Sequence, residues 1–174
     1  MENLISGTLV RFFADDHVRL DTLLQRAMDV SGAIDHVAYV EFRRGLLKHI
    51  GMEEKILFPA AQGAQGGAPL PLAATLRRAH GALATLLVPT PTPAIVSTLR
   101  TILSAHNSQE EGPGGVYEVC EHLVGTGADA LLVQLQNVPE VSASPYVDGP
   151  RVLAALQRAL ARAGYQLAAE EKHG

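Results

Sequence analysis

Two pairs of segments in this chain repeat the same histidine-containing patterns. Residues 16–24 (DHVRLDTLL) match residues 79–87 (AHGALATLL), and both contain His-x-x-Leu-x-Thr-Leu-Leu. Residues 49–54 (HIGMEE) match residues 106–111 (HNSQEE), and both read His-x-x-x-Glu-Glu. A segment with one histidine is thus followed by a segment with histidine and glutamate, twice in succession. On four neighbouring helices, this order would bring four imidazoles and two carboxylates to one point with pseudo-twofold symmetry.

Apolar residues recur at helical spacing through most of the chain. Their i, i+3, i+4 pattern predicts helices over about residues 6–28, 34–60, 71–88 and 93–110, each with a histidine on its apolar face. Proline and glycine separate these segments, and Thr92-Pro93 is a good N-cap and first-turn pair. No alternating pattern persists for the length of a strand. The sequence therefore predicts an all-α fold, an antiparallel four-helix bundle with additional C-terminal helices.

The helical pattern continues after a glycine-rich break at residues 112–115. It covers residues 116 to about 137, with an interruption near Gly125 and Gly127, and resumes over residues 152–164. A length of 174 residues suits a single domain. We expect a metal-binding bundle at residues 1–125 and a helical extension, packed on it, at residues 126–174. The apolar stripe of the last helix also suits a homodimer contact.

The repeated motifs predict a metal site inside the bundle. In each His-x-x-x-Glu motif the two side chains are four residues apart and project from one helix face. A carboxylate can bridge two cations, whereas an imidazole ligates one, so two bridging glutamates and two histidines per metal are a natural division. Carboxylates are almost never buried unpaired. The alternative is that both glutamates are solvated and the repeat records only a duplicated helical hairpin. The predicted ligands are His17, His49, Glu53, His80, His106 and Glu110.

The donor types favour iron. Imidazole and carboxylate without thiolate suit a borderline metal that accepts five or six ligands, whereas structural zinc prefers cysteine-rich tetrahedral sets. The predicted cofactor is a pair of iron ions, with manganese or zinc as possible substitutes. Six side chains leave coordination positions unfilled, and open positions on redox iron attract dioxygen, peroxide or nitric oxide.

The segments DDHVRLD, HIGMEEKILFP and HNSQEE, taken in this order, resemble the hemerythrin-like (HHE cation-binding) family over about residues 8–120. The resemblance implies a four-helix bundle around a non-haem di-iron centre. It also implies that the four histidines are terminal ligands and that Glu53 and Glu110 are bridging carboxylates.

Two positions depart from the oxygen-carrying members of that family. Those carriers have a further histidine one turn after the one on the third helix, where this chain has Ala84. They also use an acid five residues after the last histidine, which would be Glu111, whereas the internal repeat favours Glu110. The site therefore resembles the four-histidine kind, which argues against simple reversible oxygen carriage.

Three functions follow from these features. The first is a binding protein that binds or senses dioxygen, nitric oxide or iron. The second is a redox enzyme at the same centre, acting in peroxide decomposition or iron–sulfur cluster repair. The third is a metal-free helical interaction module. No dinucleotide fingerprint, P-loop or serine nucleophile elbow supports a nucleotide-binding or hydrolase function.

Composition excludes several partners. A net charge of −4 without clustered Lys or Arg gives no nucleic-acid footprint. Apolar stretches end before the ~18 residues that a membrane span needs. The N-terminal segment lacks a basic leader, so we expect a cytoplasmic protein. The single cysteine, Cys120, is interpreted as a small buried hydrophobe.

Other residues near the motifs receive a structural or supporting interpretation. The remaining histidines are interpreted as structural or solvated: His36, His122 and His173. Tyr39 and Tyr117 are possible hydrogen-bond donors around the metal ligands, and Tyr117 could fold back after the glycine-rich break. Asp16 and Asp21 flank His17, and either could orient its imidazole.

Overall fold

The computed structural model describes residues 7–170, and within that range the fold is all-helical. No strand occurs there beyond one isolated bridge between Met28 and Ile34, as the sequence predicts. The α-helices are α1 Thr8–Arg26, α2 His36–Met52, α3 Phe58–Ala64, α4 Ala73–Leu86, α5 Pro93–Glu111, α6 Val116–Val124, α7 Ala128–Gln136 and α8 Pro150–Ala163. None of these described helices is both long enough and apolar enough to cross a bilayer.

The helices begin where the sequence supplies N-terminal caps. The Asp35 carboxylate accepts hydrogen bonds from the first amides of α2, and the Thr92 hydroxyl accepts one from Ile95 at the start of α5. Pro93 occupies the first turn of α5, as predicted. Helix α4 begins at residue 73, two residues later than predicted, because Leu72 adopts a left-handed conformation with φ 64°.

A single π-helical turn, Glu53–Leu57, joins α2 to α3. The sequence predicts that this helix ends near residue 60, but the chain passes Pro59 and remains helical through Ala64. The amide of Phe58 bonds to the carbonyl of Glu53, five residues back. This wider turn lets the helix pass a proline that lacks an N–H and crowds a regular preceding turn. π-Helical turns are frequent at functional sites, and this one begins with a predicted ligand.

The apolar core consists of two clusters along the helices. One cluster contains Leu20, Leu46, Leu83, Leu99 and Ile102, together with Leu156 and Leu160 of α8. The other contains Phe13, Met52, Leu76 and the buried faces of α3, α6 and α7. On α1, α2 and α4, a histidine lies between residues of the two clusters, and on α5 the histidine and glutamate follow Ile102. The core thus leaves one polar layer between its two apolar parts.

A buried arginine on α2 bonds to the segment that precedes α8. Arg43 donates from Nε to the Leu87 carbonyl at 2.7 Å and from Nη1 to the Ser144 carbonyl at 2.5 Å. Its guanidinium lies 4.5 Å from the centre of the Tyr146 ring. Helix α8 packs against α4. The predicted division of the chain at residue 125 remains a prediction.

Gly45 permits a close approach between α1 and α2. A Cβ at this position would lie 2.8 Å from Leu20 Cδ2 and 3.0 Å from Arg19 Nη2. Glycine inside a helix costs about 1 kcal/mol relative to alanine, and here it lets α1 pack against α2 beside two histidines.

Candidate metal centre

The structure brings all six predicted ligands together in the polar layer. Each of them is at most 5 % exposed, and both glutamates are fully buried. They come from α1, α2, the π-helical turn, α4 and α5, in the order of the internal repeat. Buried groups of this kind require partners, because an isolated carboxylate or imidazolium in an apolar interior is strongly destabilising.

The imidazoles form two pairs with their Nε2 atoms facing each other. The Nε2 atoms of His17 and His49 are 3.1 Å apart, and those of His80 and His106 are 3.0 Å apart. We call the first pair the His17/His49 half and the second the His80/His106 half of the site.

Each glutamate spans the two halves with its two oxygens. Glu53 places Oε1 3.4 Å from His49 Nε2 and Oε2 3.1 Å from His80 Nε2. Glu110 places Oε2 3.2 Å from His17 Nε2 and Oε1 2.9 Å from His106 Nε2. Each carboxylate therefore has one oxygen next to the His17/His49 half and the other next to the His80/His106 half. A carboxylate that bridges two ions requires this arrangement.

The donor set suits two cations. Two groups of four donors each have ligand atoms within 4.8 Å of one another, and the groups share both glutamates. Glu53 Oε2 and Glu110 Oε1 are buried and make no contact of hydrogen-bond geometry within the described residues. Each of these oxygens faces an imidazole Nε2, at 3.1 Å for Glu53 and 2.9 Å for Glu110. A buried carboxylate oxygen beside imidazole nitrogens has the chemistry expected of a metal ligand.

Acids behind two histidines set the direction of their lone pairs. His49 Nδ1 lies 2.8 Å from Asp16 Oδ2, and His80 Nδ1 lies 2.7 Å from Glu54 Oε1. A carboxylate can only accept, so Nδ1 carries the proton and Nε2 points into the site. Such carboxylate–histidine pairs orient metal-binding imidazoles and increase their basicity. The expectation that Asp16 orients its neighbour His17 was wrong, because it bonds across to α2.

The metal-free site is a network of opposite charges. Burial opposes charge on His49, but the Glu53 charge and the Asp16 hydrogen bond raise the pKa of His49 to about 10. Burial likewise opposes charge on His80, but the surrounding carboxylates, Glu110 first, raise its pKa to about 11. Burial would raise the pKa of Glu110, yet hydrogen bonds from the imidazoles hold it well below its ordinary value. These imidazoles and carboxylates therefore stabilise each other's charged forms.

Tyr117 adds a phenol to this layer. Its hydroxyl donates to Glu53 Oε1 at 2.5 Å and lies 3.1 Å from Glu110 Oε2. It also lies 3.1 Å from His17 Nε2 and 3.2 Å from His49 Nε2. The tyrosine is fully buried, and burial beside two carboxylates raises its pKa well above the ordinary value. The fold-back expected after the glycine-rich break does occur, and it brings the phenol into direct contact with four predicted ligands.

Glu110 and Glu111 occupy different environments. Glu110 is fully buried between the histidines. Glu111 is 36 % exposed, and its Oε1 lies 3.5 Å from His17 Nδ1, on the far side of that ring. The geometry therefore favours Glu110 as the ligand and gives Glu111 the place of an acid behind His17.

Most of the other residues considered lie away from the centre. His36 and His122 are exposed, and His173 lies outside the described residues. Tyr39 packs against Phe42 and Tyr146, and its hydroxyl makes no hydrogen bond within the described residues. Asp21 accepts a hydrogen bond from Gln25. Cys120 is buried, as expected.

A cavity of about 160 Å³ lies beside the site. Three of the four predicted histidine ligands line it, together with Leu20, Leu24, Leu46, Ile50 and Leu103. Asp21, Arg100, Ser104 and Asn107 also line it. One water-sized molecule needs only roughly 10–15 Å³ of such space. A small ligand could therefore sit next to the histidines.

Sequence reasoning did not assign a role to Glu54. The signal was available in the second glutamate of the repeated motif, since Glu54 and Glu111 both follow a predicted ligand and both approach the Nδ1 side of a histidine. That contact joins two helices, so its existence depends on how the helices pack.

The fold and the site together define a helical protein with a buried histidine–carboxylate centre suited to cations. A family model described as the hemerythrin HHE cation binding domain matches residues 8–113, and the chain belongs to this family. The resemblance noted from the motifs is thereby confirmed. Comparison with curated proteins and with solved structures gave no significant match.

Proposed function

We propose that the chain holds two iron ions in a non-haem di-iron centre, with manganese or zinc as possible substitutes. His17 and His49 would ligate one ion, His80 and His106 the other, and the two glutamates would bridge them. The observation that supports this most is that each buried glutamate directs one oxygen to each histidine pair. The proposal includes an antiparallel four-helix arrangement in which α2, the π-helical turn and α3 act as one helix.

The bound ions would supply redox chemistry and open coordination positions for a small ligand. The proposed activity is binding or sensing of dioxygen, nitric oxide or iron itself. The cavity beside the histidines supports a small ligand, because it is next to the ligand set and largely apolar. Asp16 and Glu54 keep the Nε2 lone pairs directed at the ions, and the apolar clusters on both sides keep bulk water away.

A second candidate is a di-iron redox enzyme, for example one that decomposes peroxide or repairs iron–sulfur clusters. The buried Tyr117 hydroxyl favours it, since a phenol in contact with Glu53 can hold or pass a proton beside the ions. Turnover of peroxide by the iron-loaded protein would support this candidate. A purely stoichiometric oxidation would contradict it. The homodimer and the cytoplasmic location stay predictions from the sequence.

Metal content decides the main proposal. We expect about two irons per chain after anaerobic loading with ferrous iron, and an absorption spectrum that changes with dioxygen or nitric oxide. The double variant His49→Ala/Glu53→Ala should lose this iron. His36→Ala, which removes an exposed histidine from the same helix, should keep it. Absence of iron in the loaded native protein would refute the di-iron proposal and favour the metal-free interaction module.

A further inference from the structure

The two halves of the site differ in the acids behind their imidazoles. The internal repeat aligns His17 with His80, His49 with His106, Glu54 with Glu111, and Asp16 with Ala79. Three of these pairs conserve the type of side chain. The fourth replaces a carboxylate with a methyl group, so the pseudo-twofold symmetry is broken at this pair.

In the His17/His49 half, an acid stands behind each ring. Asp16 accepts from His49 Nδ1 at 2.8 Å, and a Glu111 oxygen lies 3.5 Å from His17 Nδ1. The Tyr117 hydroxyl lies 3.1 and 3.2 Å from the two Nε2 atoms of this half. This half therefore has a fifth donor within reach, the Tyr117 oxygen, in addition to two imidazoles and two carboxylates.

In the His80/His106 half, only one ring has an acid behind it. Glu54 accepts from His80 Nδ1 at 2.7 Å. Behind His106, the repeat puts Ala79 where the other half has Asp16. Within residues 7–170, the buried Nδ1 atoms of His17 and His106 both lack a hydrogen-bond partner, but only that of His17 has an acid close by, Glu111 at 3.5 Å. His106 is therefore the one imidazole of the four with no carboxylate behind its Nδ1 atom among these residues.

We propose that the two metal positions are unequal: the His17/His49 half binds its ion more tightly, and the His80/His106 half holds an exchangeable one. This inference rests on the proposed di-iron function. The physical cause is the carboxylate missing behind His106, since such a partner changes metal affinity by about 10–100-fold. The Tyr117 oxygen adds to the difference, because it approaches only the tighter half.

Stepwise loading tests the inequality. Metal-free protein is titrated anaerobically with ferrous iron in a calorimeter, and the expected result is two binding steps with affinities at least about tenfold apart. His106→Ala should remove the weaker step and leave the tighter one. Two steps of equal affinity would overturn the inference while leaving the proposed function intact. Failure to bind two ions at all would instead refute the proposed function.

Two pairs of variants test the cause. Ala79→Asp should strengthen the weaker step by about tenfold or more, because it supplies the acid that the repeat lacks. Ala74→Asp adds the same charge to an exposed position of α4 and should change neither step. Asp16→Ala should weaken the tighter step, whereas Asp15→Ala, one residue away and exposed, should not. If Ala79→Asp does not fold, the Asp16 pair decides, and an unchanged tighter step in Asp16→Ala overturns the proposed cause.

Discussion

Metal loading should release protons, and the number follows from the charges in the site. With pKa values of about 10 and 11, His49 and His80 are both protonated at pH 8 in the metal-free protein. Each must lose its Nε2 proton to ligate an ion, so two ions should displace about two protons per chain. A histidine with an ordinary pKa near 6.5 is only about 3 % protonated at pH 8 and would release almost none. The measurement is the pH change of a weakly buffered, anaerobic solution on addition of ferrous iron.

The Tyr117→Phe variant shows how many of the protons released on iron binding come from the histidines. The Tyr117 phenol keeps its proton at pH 8, because its pKa is raised well above the ordinary value. If it bound iron as a phenolate, it would therefore release one further proton. The variant should therefore release about two protons, and His49→Ala in the same background about one. Uptake of two irons with almost no proton release would refute the charge network described for the metal-free site.

The pKa values of His49 and His80 also determine how iron binding and protein stability depend on pH. Each displaced proton makes the combined binding constant fall about tenfold per pH unit, so two protons give about 100-fold for each unit that the pH is lowered. In the metal-free protein, the raised histidine pKa values stabilise the fold fully below about pH 6.5. That contribution is lost as the pH rises towards about 10 and 11. The stabilisation by iron should therefore grow from pH 6 to pH 9, as thermal unfolding with and without the metal would report.

Three further predictions concern single side chains. Glu110→Gln should weaken iron binding by more than about 100-fold, because losing a ligand should cost more than losing a residue that only hydrogen-bonds to a ligand. Glu111→Gln should retain two ions. If elemental analysis shows equal iron loss in both variants, the assignment of Glu110 as the ligand is contradicted. Tyr117→Phe should abolish any visible iron(III)–phenolate absorption of the oxidised protein, and an unchanged band would exclude ligation by the phenol. Arg43→Ala should cost about 3 kcal/mol in chemical unfolding of the metal-free protein, through two charged hydrogen bonds. The exposed Arg44→Ala should stay within about 0.5 kcal/mol, and equal effects would refute the anchoring role.

The sequence predicted the six buried donors because the relevant geometry is local. A spacing of four residues puts histidine and glutamate on one helix face, and the apolar stripe dictates that this face points inward. The internal repeat then matches the helix pair α1 and α2 to the helix pair α4 and α5. The all-helical class and the approximate helix limits follow from the same periodicity. The break at residues 112–115 and the interruption near Gly125 and Gly127 were also predicted correctly, whereas the helix predicted to end near residue 60 continues to Ala64.

The contacts between helices could not be predicted in the same way. Whether Asp16 reaches His17 or His49 depends on the rotation and axial offset of α1 against α2, which single-helix spacing does not determine. The close approach at Gly45 contributes to that offset. The π-helical turn after Met52 changes the direction of every later side chain on that helix. The contact between Glu54 and His80 joins two helices, so single-helix periodicity does not indicate it.

The position of the site between two apolar clusters explains why small asymmetries there carry weight. Apolar side chains on both sides exclude water, so charges in the polar layer are screened little. A carboxylate behind one imidazole then alters the electron density and orientation of a ligand more than it would at the surface. Ala79 is buried, and its methyl group offers no hydrogen-bond acceptor. On the proposal of unequal metal positions, one methyl group in place of a carboxylate is what distinguishes the two halves of the duplicated site.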